Sequence, residues 1–319
     1  MAVSSTTAKR AAYRPYRAIV TAVEPLSPNF VRVSFTGPQF DHFAAHEHDQ
    51  RVKIVFPQSA RCFTDLGVDD EESLASGQWY AHWRALPPEH QSPFRTYTVR
   101  AVDPQARRVD IDFVVHTVNG QPDGPGSRWL HSATPGDEVI IVGPDSRSEH
   151  SDAGMDWKPG EAANLLLAGD ETAAPAIAGI LQRLPANRHA TALIEVPTAA
   201  DASAVAPAGP AHVQILPREG APVGSKLEPA LLAWAKENPA LIAAASAPGP
   251  QRLDDIDVDV DTLWESAAGG DKGDFYAWLA GESAVIKRLR RLLVTAWGVD
   301  RSQVSFMGYW RLGRGERTS

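Results

Sequence analysis

The apolar pattern of this chain changes once, near residue 160, and that change most limits what the chain can fold into. Before it, short segments alternate apolar and polar residues with a period of two, and Pro, Gly, Asn or Asp separates them. Six segments follow this pattern: 18–23, 30–35, 51–56, 95–100, 109–115 and 138–142. Short strands with irregular connections predict a small antiparallel Greek-key β-barrel.

The second half of the chain alternates strands with helices. Residues 164–168 are a continuous apolar run ending at Gly169, which is typical of a strand buried on both faces. Further strands are predicted at 191–196, 213–216, 275–280 and 304–308, and helices at 174–184, 226–236 and 283–297. This alternation predicts an α/β domain with a parallel sheet.

These patterns predict a disordered tail over 1–12, a barrel domain over 13–145, a linker over 146–160 and an α/β domain over 161–319. A chain of 319 residues is long enough for two domains, each with its own core. Residues 62–90 read as a long excursion between two barrel strands. The acidic stretch 240–273 receives no assignment.

Composition narrows the classes of function. The net charge of −8 argues against a nucleic-acid-binding surface. Cys62 is the only cysteine, which excludes disulfides within the chain and cysteine-ligated metal sites and favours a reducing compartment. No apolar run is long enough to span a membrane, and the N-terminus lacks the core of a secretory signal. We therefore expect a cytoplasmic protein with no bound metal, and a monomer by default.

The segment Arg95-Thr96-Tyr97-Thr98-Val99-Arg100 carries the strongest functional signal. On a strand, Arg95, Tyr97 and Val99 share one face, and Thr96, Thr98 and Arg100 share the other. An aromatic ring, a hydroxyl and a cation within reach of one ligand suit a flavin dinucleotide, which needs a ring contact, polar donors and positive charge. The alternative is an ordinary amphipathic strand with solvated arginines.

A glycine-rich turn follows the strand predicted at 109–115. His116-Thr117-Val118-Asn119-Gly120 closes the strand, and Gly124-Pro125-Gly126-Ser127-Arg128-Trp129 opens a helix. A Gly-Ser turn at a helix start presents backbone amides to a pyrophosphate, although Ser127 could equally be a helix cap. The chain has no GxGxxG motif, so a conventional dinucleotide loop is absent.

Two strand ends in the α/β domain carry polar turns. Gly169-Asp170-Glu171-Thr172-Ala173 follows its first strand, and Ala280-Gly281-Glu282-Ser283 ends a later one. In open parallel sheets, ligands bind beyond the carboxyl ends of the strands. The two turns therefore favour a ligand cleft, although Asp170 and Thr172 could also be plain helix caps.

Cations outside these turns are candidates for an anionic substrate. Lys53 lies opposite Val52, Ile54 and Phe56 on its strand and either faces water or lines a pocket. On the last helix, Lys287, Arg288 and Arg291 point away from the apolar face, as a solvated charge run or a basic patch.

Taken in order, these motifs, together with Gly308-Tyr309-Trp310-Arg311, resemble the siderophore-interacting protein family over about residues 16–313. That family comprises flavin-dependent ferric-siderophore reductases within the ferredoxin–NADP reductase superfamily. The resemblance implies an FAD-binding barrel followed by an NAD(P)H-binding α/β domain. Two departures are Ala174, where a leucine is usual, and Asp145-Ser146, where the family often has arginine and glycine.

The resemblance also implies roles for individual residues. Arg95, Tyr97 and Thr98 would hold the flavin and its ribityl-phosphate region. The pyrophosphate side would be formed by His116, Val118, Gly126, Ser127 and Trp129, while Asp170, Thr172 and Ala173 would close over the cofactor. Ala280, Gly281 and Glu282 would face the nicotinamide, and Lys53, Lys287, Arg288 and Arg291 would attract the siderophore.

The activity implied is reduction of a ferric siderophore. NADH or NADPH would pass a hydride to FAD, and single electrons would then reduce two Fe(III) chelates, with no protein residue acting as catalyst. Two alternatives stay open: a siderophore-binding or iron-shuttling protein without turnover, and a flavoprotein that takes electrons from ferredoxin. Glu195 closes a strand where a carboxylate could pair with ribose hydroxyls, which favours NADH, or it is a surface residue.

Overall fold

The structure, a computed structural model, describes residues 10–46, 48–205, 211–258, 260–267 and 273–313. Residues 1–9 of the predicted tail lie outside this range. The first strand begins at Tyr13, directly after the predicted end of that tail. Two compact units divide at Met155 and Asp156, inside the predicted linker, and Leu26–Phe30 groups with the second unit.

The first unit is a closed barrel, as the alternating pattern predicts. Its strands are β1 (Tyr13–Ser27), β2 (Phe30–Thr36), β3 (Arg51–Val55), β4 (Phe94–Asp103), β5 (Arg108–Val114) and β8 (Glu138–Pro144), in the spatial order β1-β2-β5-β4-β3-β8. Alternate residues such as Tyr16, Ala18 and Val20 are buried in its core. Because side chains alternate across a strand, their neighbours occupy the opposite face.

The excursion between β3 and β4 is helical. Its helices are α1 (Arg61–Asp65), α2 (Glu71–Ser76) and α3 (Trp79–Ala85). Trp79, Trp83 and Phe94 form an apolar cluster here with Val55 of β3 and Val142 of β8. This cluster covers a stretch of the outer barrel wall. The aromatic residues in the excursion therefore pack against the barrel, a role that the sequence alone did not predict.

A short hairpin and one helix connect β5 to β8. The hairpin is formed by β6 (Thr117–Val118) and β7 (Gln121–Pro122), and the helix is α4 (Gly124–Leu130). Asn119 and Gly120 adopt φ values of 53° and 74°, which a tight hairpin of this kind requires. The backbone N–H of Asp123 donates to the His116 carbonyl at 2.8 Å, so the chain enters α4 directly from the base of the hairpin.

The second unit contains a mixed sheet that is parallel except at one edge. Its strands are β9 (Asn164–Gly169), β10 (His189–Val196), β11 (His212–Pro217), β12 (Trp264–Glu265), β13 (Phe275–Glu282) and β14 (Val304–Trp310). Their spatial order is β11-β10-β9-β13-β14-β12, and β12 runs antiparallel to β14. The carboxyl ends of β9, β10, β13 and β14 consequently meet at one edge of the sheet.

Helices connect these strands as the alternation predicts. They are α5 (Ala174–Gln182), α6 (Ala202–Val205), α7 (Leu227–Glu237), α8 (Pro239–Ala244) and α9 (Ser283–Arg290). The predicted last helix changes to π geometry over Arg291–Ala296 rather than continuing as an α-helix. The unassigned stretch 240–273 contributes most of α8 and the edge strand β12.

Asp201 is a fully buried carboxylate in the second unit. It accepts hydrogen bonds from the backbone and side chain of Asn29, from the Ser27 hydroxyl, and from the backbone and hydroxyl of Thr198. Burial opposes the charge, but these donors outweigh it and lower the pKa of Asp201. Among the described residues, no helix is both long and apolar enough to cross a membrane.

Candidate functional site

Tyr97 lies in an aromatic cluster of the barrel core. Its ring centroid is 4.4 Å from that of Phe113 and 6.5 Å from that of Phe56. Trp129 of α4 completes the cluster, with centroids 5.5 Å from Phe56, 5.6 Å from Phe113 and 6.3 Å from Phe35. Tyr97 is nevertheless half-buried, so part of the side chain stays accessible to a ligand.

Gly126 leaves room for the Tyr97 hydroxyl. A Cβ atom at Gly126 would lie 2.0 Å from the Tyr97 hydroxyl oxygen, far inside van der Waals contact. The neighbouring Ser127 hydroxyl accepts a hydrogen bond from the His116 backbone N–H at 3.0 Å. In the first turn of α4, the Cβ position of Gly126 is thus filled by the Tyr97 hydroxyl, whereas the backbone at Gly124 faces open space that a phosphate group can enter. These residues fit a flavin dinucleotide.

The other residues that were predicted to bind FAD differ in burial and in the face of the barrel on which they lie. Arg95 is half-buried and donates to the Phe94 carbonyl at 2.7 Å. Thr98 is almost fully buried and pairs with Arg51 across the sheet, on the face opposite Tyr97. Val118, in the hairpin, is 57% exposed. The structure thus brings Tyr97, Gly126 and Trp129 together, and it places Thr98 and Val118 away from that cluster.

Lys53 lies on the outer face of the barrel, as its position in the strand predicts. Its ammonium donates to the Thr96 hydroxyl at 3.1 Å and lies 4.9 Å from the Phe94 ring centroid. Phe94 in turn packs edge-on against Trp83, with centroids 5.0 Å apart. The cation is thus half-buried beside aromatic rings, where its interaction with an anion is less screened than in open water.

Asp170 is the central side chain at the ligand edge of the second unit. Its Oδ1 accepts from the Thr172 backbone N–H and hydroxyl, and its Oδ2 accepts from the Glu282 backbone N–H and the Trp310 indole N–H. Gly281 has φ of 149°, and a Cβ atom there would lie 2.7 Å from Oδ2 of Asp170. The two predicted turns are therefore joined through one carboxylate.

The Glu282 carboxylate binds the first turn of helix α9. Its Oε2 accepts from the Ala284 and Val285 backbone N–H groups at 2.8 and 2.9 Å and so caps helix α9. Ala280 and Ala173 are fully buried, and Thr172 is half-buried. At this edge, Thr172 is thus more open to a ligand than Gly281 and Glu282, which are both buried.

Glu195 has neither of the roles considered from its sequence position. It is fully buried, which excludes a surface residue, and its carboxylate accepts from the backbone N–H groups of Gly224, Lys226 and Leu227 at 2.7–2.9 Å. Arg218 lies 3.4 Å away and also binds Glu171 through two contacts of 2.5 and 2.8 Å. Because these partners occupy the carboxylate, Glu195 gives no support for NADH through ribose hydroxyls.

Arg218 and Glu171 were not identified from the sequence. Burial works against the Arg218 charge, but hydrogen bonds and charges of Glu171, followed by the charge of Glu195, outweigh it and raise the pKa of Arg218. The sequence gives no local signal for this pair, since the two residues are 47 positions apart and come from different strand ends.

The basic residues of α9 and the π segment are paired with acidic side chains. Lys287 lies 2.9 Å and Arg291 3.9 Å from the same oxygen of Asp255, and Arg288 lies 3.0 Å from Glu228. Two carboxylates thus offset most of the charge of three cations.

A barrel followed by a parallel α/β sheet defines the ferredoxin reductase-like fold. A ferredoxin reductase of a carbazole 1,9a-dioxygenase shares this fold at 15% identity, with a TM-score of 0.55 over 93% of this chain and 70% of that chain. A siderophore utilization protein from T. fusca superposes with a TM-score of 0.63 at 26% identity, over 97% of both chains. The predicted fold class is confirmed.

Family models match both units. The siderophore-interacting FAD-binding domain matches residues 19–148, and the siderophore-interacting protein model matches residues 162–313. This chain belongs to the siderophore-interacting protein family, and its first unit is an FAD-binding domain. The resemblance predicted from the sequence motifs is therefore confirmed, and the chain is a flavoprotein of the oxidoreductase class.

Two relatives extend over nearly the whole chain. Ferric vibriobactin reductase ViuB of Vibrio cholerae is 24% identical over 291 residues, which are 91% of this chain and 87% of that protein. An uncharacterized protein of Mycobacterium tuberculosis is 31% identical over 310 residues, which are 95% of this chain and 93% of that protein.

Proposed function

We propose that this protein is an FAD-dependent NAD(P)H:ferric-siderophore oxidoreductase. The observation that carries the proposal is the relation to a ferric vibriobactin reductase over 91% of the chain. The chain also combines an FAD-binding barrel with a parallel sheet whose ligand edge is built around Gly281 and Asp170. FAD, when bound, supplies the conversion of a two-electron hydride donor into single-electron steps.

The first unit holds FAD in this proposal. Tyr97 packs against the flavin region, and Arg95 offers positive charge to the phosphates. The first turn of α4, with Gly126 and Ser127, lies on the pyrophosphate side and is supported by the cluster around Trp129. The other residues assigned to FAD are Thr98, His116 and Val118.

The second unit binds the nicotinamide nucleotide in this proposal. Its ligand edge lies at the carboxyl ends of β9 and β13, where parallel sheets bind nucleotides. Gly281 leaves room at that edge for the Asp170 carboxylate, which joins the two strand ends there. The residues assigned to this edge are Asp170, Thr172, Ala173, Ala280, Gly281 and Glu282.

Reduction itself releases the iron. The hard oxygen donors of a siderophore hold Fe(III) tightly but bind the larger, less charged Fe(II) more weakly. The protein needs no acid or base for this step, so its residues bind and orient the reactants. Lys53, Lys287, Arg288 and Arg291 attract anionic ferric complexes, and Asp255 and Glu228 offset part of the charge of the last three.

Lys53→Ala is expected to discriminate between substrates by charge. We expect the KM for an anionic ferric catecholate to rise about tenfold, which corresponds to about 1.4 kcal/mol, and the KM for a neutral ferric hydroxamate to change less than about twofold. The reason is loss of a half-buried cation that water screens only in part. Steady-state kinetics with the two substrates provide the measurement.

Lys236→Ala is the matched control for this change. Lys236 is an exposed lysine near the end of α7, and its loss changes the net charge equally. It should leave both KM values unchanged. Equal increases for the anionic and the neutral complex in Lys53→Ala would remove the electrostatic role of Lys53.

The proposed activity is tested by trapping its product. Purified protein loaded with FAD is mixed with a ferric siderophore and NADH or NADPH, and a ferrous chelator reports the Fe(II) formed. We expect catalytic accumulation of Fe(II) with at least one nucleotide. Tight siderophore binding without Fe(II) from any donor would instead indicate an iron-shuttling protein, and turnover only with reduced ferredoxin would change the donor.

A further inference from the structure

The carboxylate of Asp170 joins the ends of three strands. Asp170 follows β9 and is 2% exposed. It binds the Thr172 backbone and hydroxyl at 2.9 and 2.5 Å, the Glu282 backbone N–H at 2.7 Å at the end of β13, and the Trp310 indole N–H at 2.8 Å at the end of β14. One side chain thus sets the relative positions of all three ends.

Gly281 is required for this arrangement. A Cβ atom there would lie 2.7 Å from Oδ2 and 2.8 Å from Cγ of Asp170, and φ of 149° is unfavourable for any other residue. The close approach allows the backbone N–H of Glu282 to reach the carboxylate. The Gly281–Glu282 turn therefore has its shape because Asp170 is beneath it.

Asp170 has little remaining capacity to bind a ligand directly. An ionised carboxylate offers about four lone-pair sites, and four donors already occupy them. Three of these partners are N–H groups that can only donate, and the ionised form accepts from all three as well as from the Thr172 hydroxyl. Any effect of Asp170 on a bound nucleotide must consequently act through the groups it holds.

We propose that Asp170 is a positioning residue for the nicotinamide nucleotide, because it holds the Gly281–Glu282 turn and the half-exposed Trp310 indole in the arrangement that receives the reacting end of the nucleotide. This inference rests on the proposed function, since it takes NADH or NADPH as the electron donor. The resemblance implied that Asp170 itself closes over the cofactor. In this inference, Asp170 acts instead through the residues to which it is hydrogen-bonded.

The charges around Asp170 make this arrangement dependent on pH. Burial, followed by the charge of Glu171, raises the pKa of Asp170 to about 7, although its donors oppose the shift. Glu171 is itself paired with Arg218, and the Glu282 carboxylate faces the α9 cap. Below pH 7, Asp170 gains a proton and loses the charge that strengthens its hydrogen bonds to the Glu282 and Trp310 N–H groups.

The test compares Asp170→Asn, Trp310→Phe and a control in single-turnover reduction of bound flavin by NADH or NADPH. We expect Asp170→Asn to slow reduction about 30-fold or more and Trp310→Phe about fivefold. The wild-type rate should rise with pH around a midpoint near 7, and the Asp170→Asn rate should not. Asp201→Asn also removes a buried, multiply bonded carboxylate of this unit, and it should reduce stability while leaving the reduction rate within twofold.

A second readout needs no flavin reduction. In apoprotein labelled with ¹⁵N, the indole N–H signal of Trp310 is identified by its loss in Trp310→Phe. We expect this signal to titrate near pH 7 in the wild type and to stop titrating in Asp170→Asn. An indole signal that titrates identically in both proteins would contradict the contact on which the inference depends.

The outcomes separate the inference from the proposed function. Normal reduction of the wild type together with an unchanged rate and pH profile in Asp170→Asn would overturn the inference alone. A loss in Asp170→Asn no larger than that in Asp201→Asn would also overturn it, as a structural effect. Failure of both nucleotides to reduce the wild-type flavin would reject the donor assignment and the inference with it.

Discussion

Gly126→Ala is expected to lower FAD affinity at least tenfold and to reduce the free energy of unfolding of the barrel unit by about 1–3 kcal/mol. The added methyl group would lie 2.0 Å from the Tyr97 hydroxyl oxygen. The Tyr97 ring cannot move away freely, because it packs 4.4 Å from Phe113. Fluorescence titration with FAD and denaturant unfolding of the apoprotein measure the two effects.

The double variant Gly126→Ala/Tyr97→Phe is the control for that clash, because it removes the hydroxyl that the methyl group meets. Without the hydroxyl, the nearest atoms to the new methyl group are Cζ of residue 97 at 3.4 Å and Cζ of Phe56 at 3.6 Å, which are ordinary contacts. The double variant should regain the lost stability and bind FAD as well as Tyr97→Phe alone. Gly249→Ala, with no atom within 4 Å, should change nothing. Failure of the double variant to recover would mean that Gly126 matters for another reason.

Glu195→Gln is expected to cost the second unit about 3–5 kcal/mol of unfolding free energy, as is usual when one partner of a buried ion pair is removed. Glutamine would place an amide donor among the backbone N–H groups of Gly224, Lys226 and Leu227 and leave Arg218 with a smaller counter-charge. Hydrogen exchange should show lost protection at these three amides, and denaturant unfolding should show the loss in free energy.

Glu237→Gln removes the same charge from an exposed position at the end of α7 and should stay within about 0.5 kcal/mol of the wild type. If Glu195→Gln were equally mild, Glu195 would not be the anchor of the turn before α7.

The fold could be predicted because it depends on local patterns. The period-two segments became the six barrel strands, and the alternation after residue 160 became the parallel sheet with its helices. The helices between β3 and β4 were less predictable. Their apolar residues, such as Trp79 and Trp83, cover the barrel wall instead of forming long periodic stripes.

The candidate site was predicted only where neighbours in sequence are also neighbours in space. The shared face of Arg95 and Tyr97 follows from strand geometry, and Gly281 stood out because it ends a strand before a helix. The role of Glu195 was missed because its partners are 23 to 32 residues away. The same reason applies to Lys287 and Arg288, whose acidic partners come from other segments.

Asp170 illustrates a conflict between stability and the proposed function. Its pKa in the folded chain, about 7, exceeds the usual value of an aspartate, so the folded state binds the proton more tightly. Asp170 therefore lowers the free energy of unfolding as pH rises from about 4 to 7. The ionised form is nevertheless the one that binds the Glu282 and Trp310 N–H groups most strongly.

The central claim is that electrons pass from a nicotinamide nucleotide through FAD to a ferric siderophore, and one anaerobic spectrum series tests it directly. Protein loaded with FAD is mixed with NADH, NADPH or reduced ferredoxin, and a ferric siderophore is then added. The account predicts that the yellow flavin absorbance bleaches with NADH or NADPH and returns on addition of the ferric complex, with two Fe(II) formed per flavin. Flavin that stays oxidised with both nucleotides, or stays reduced when the ferric complex is added, would contradict it.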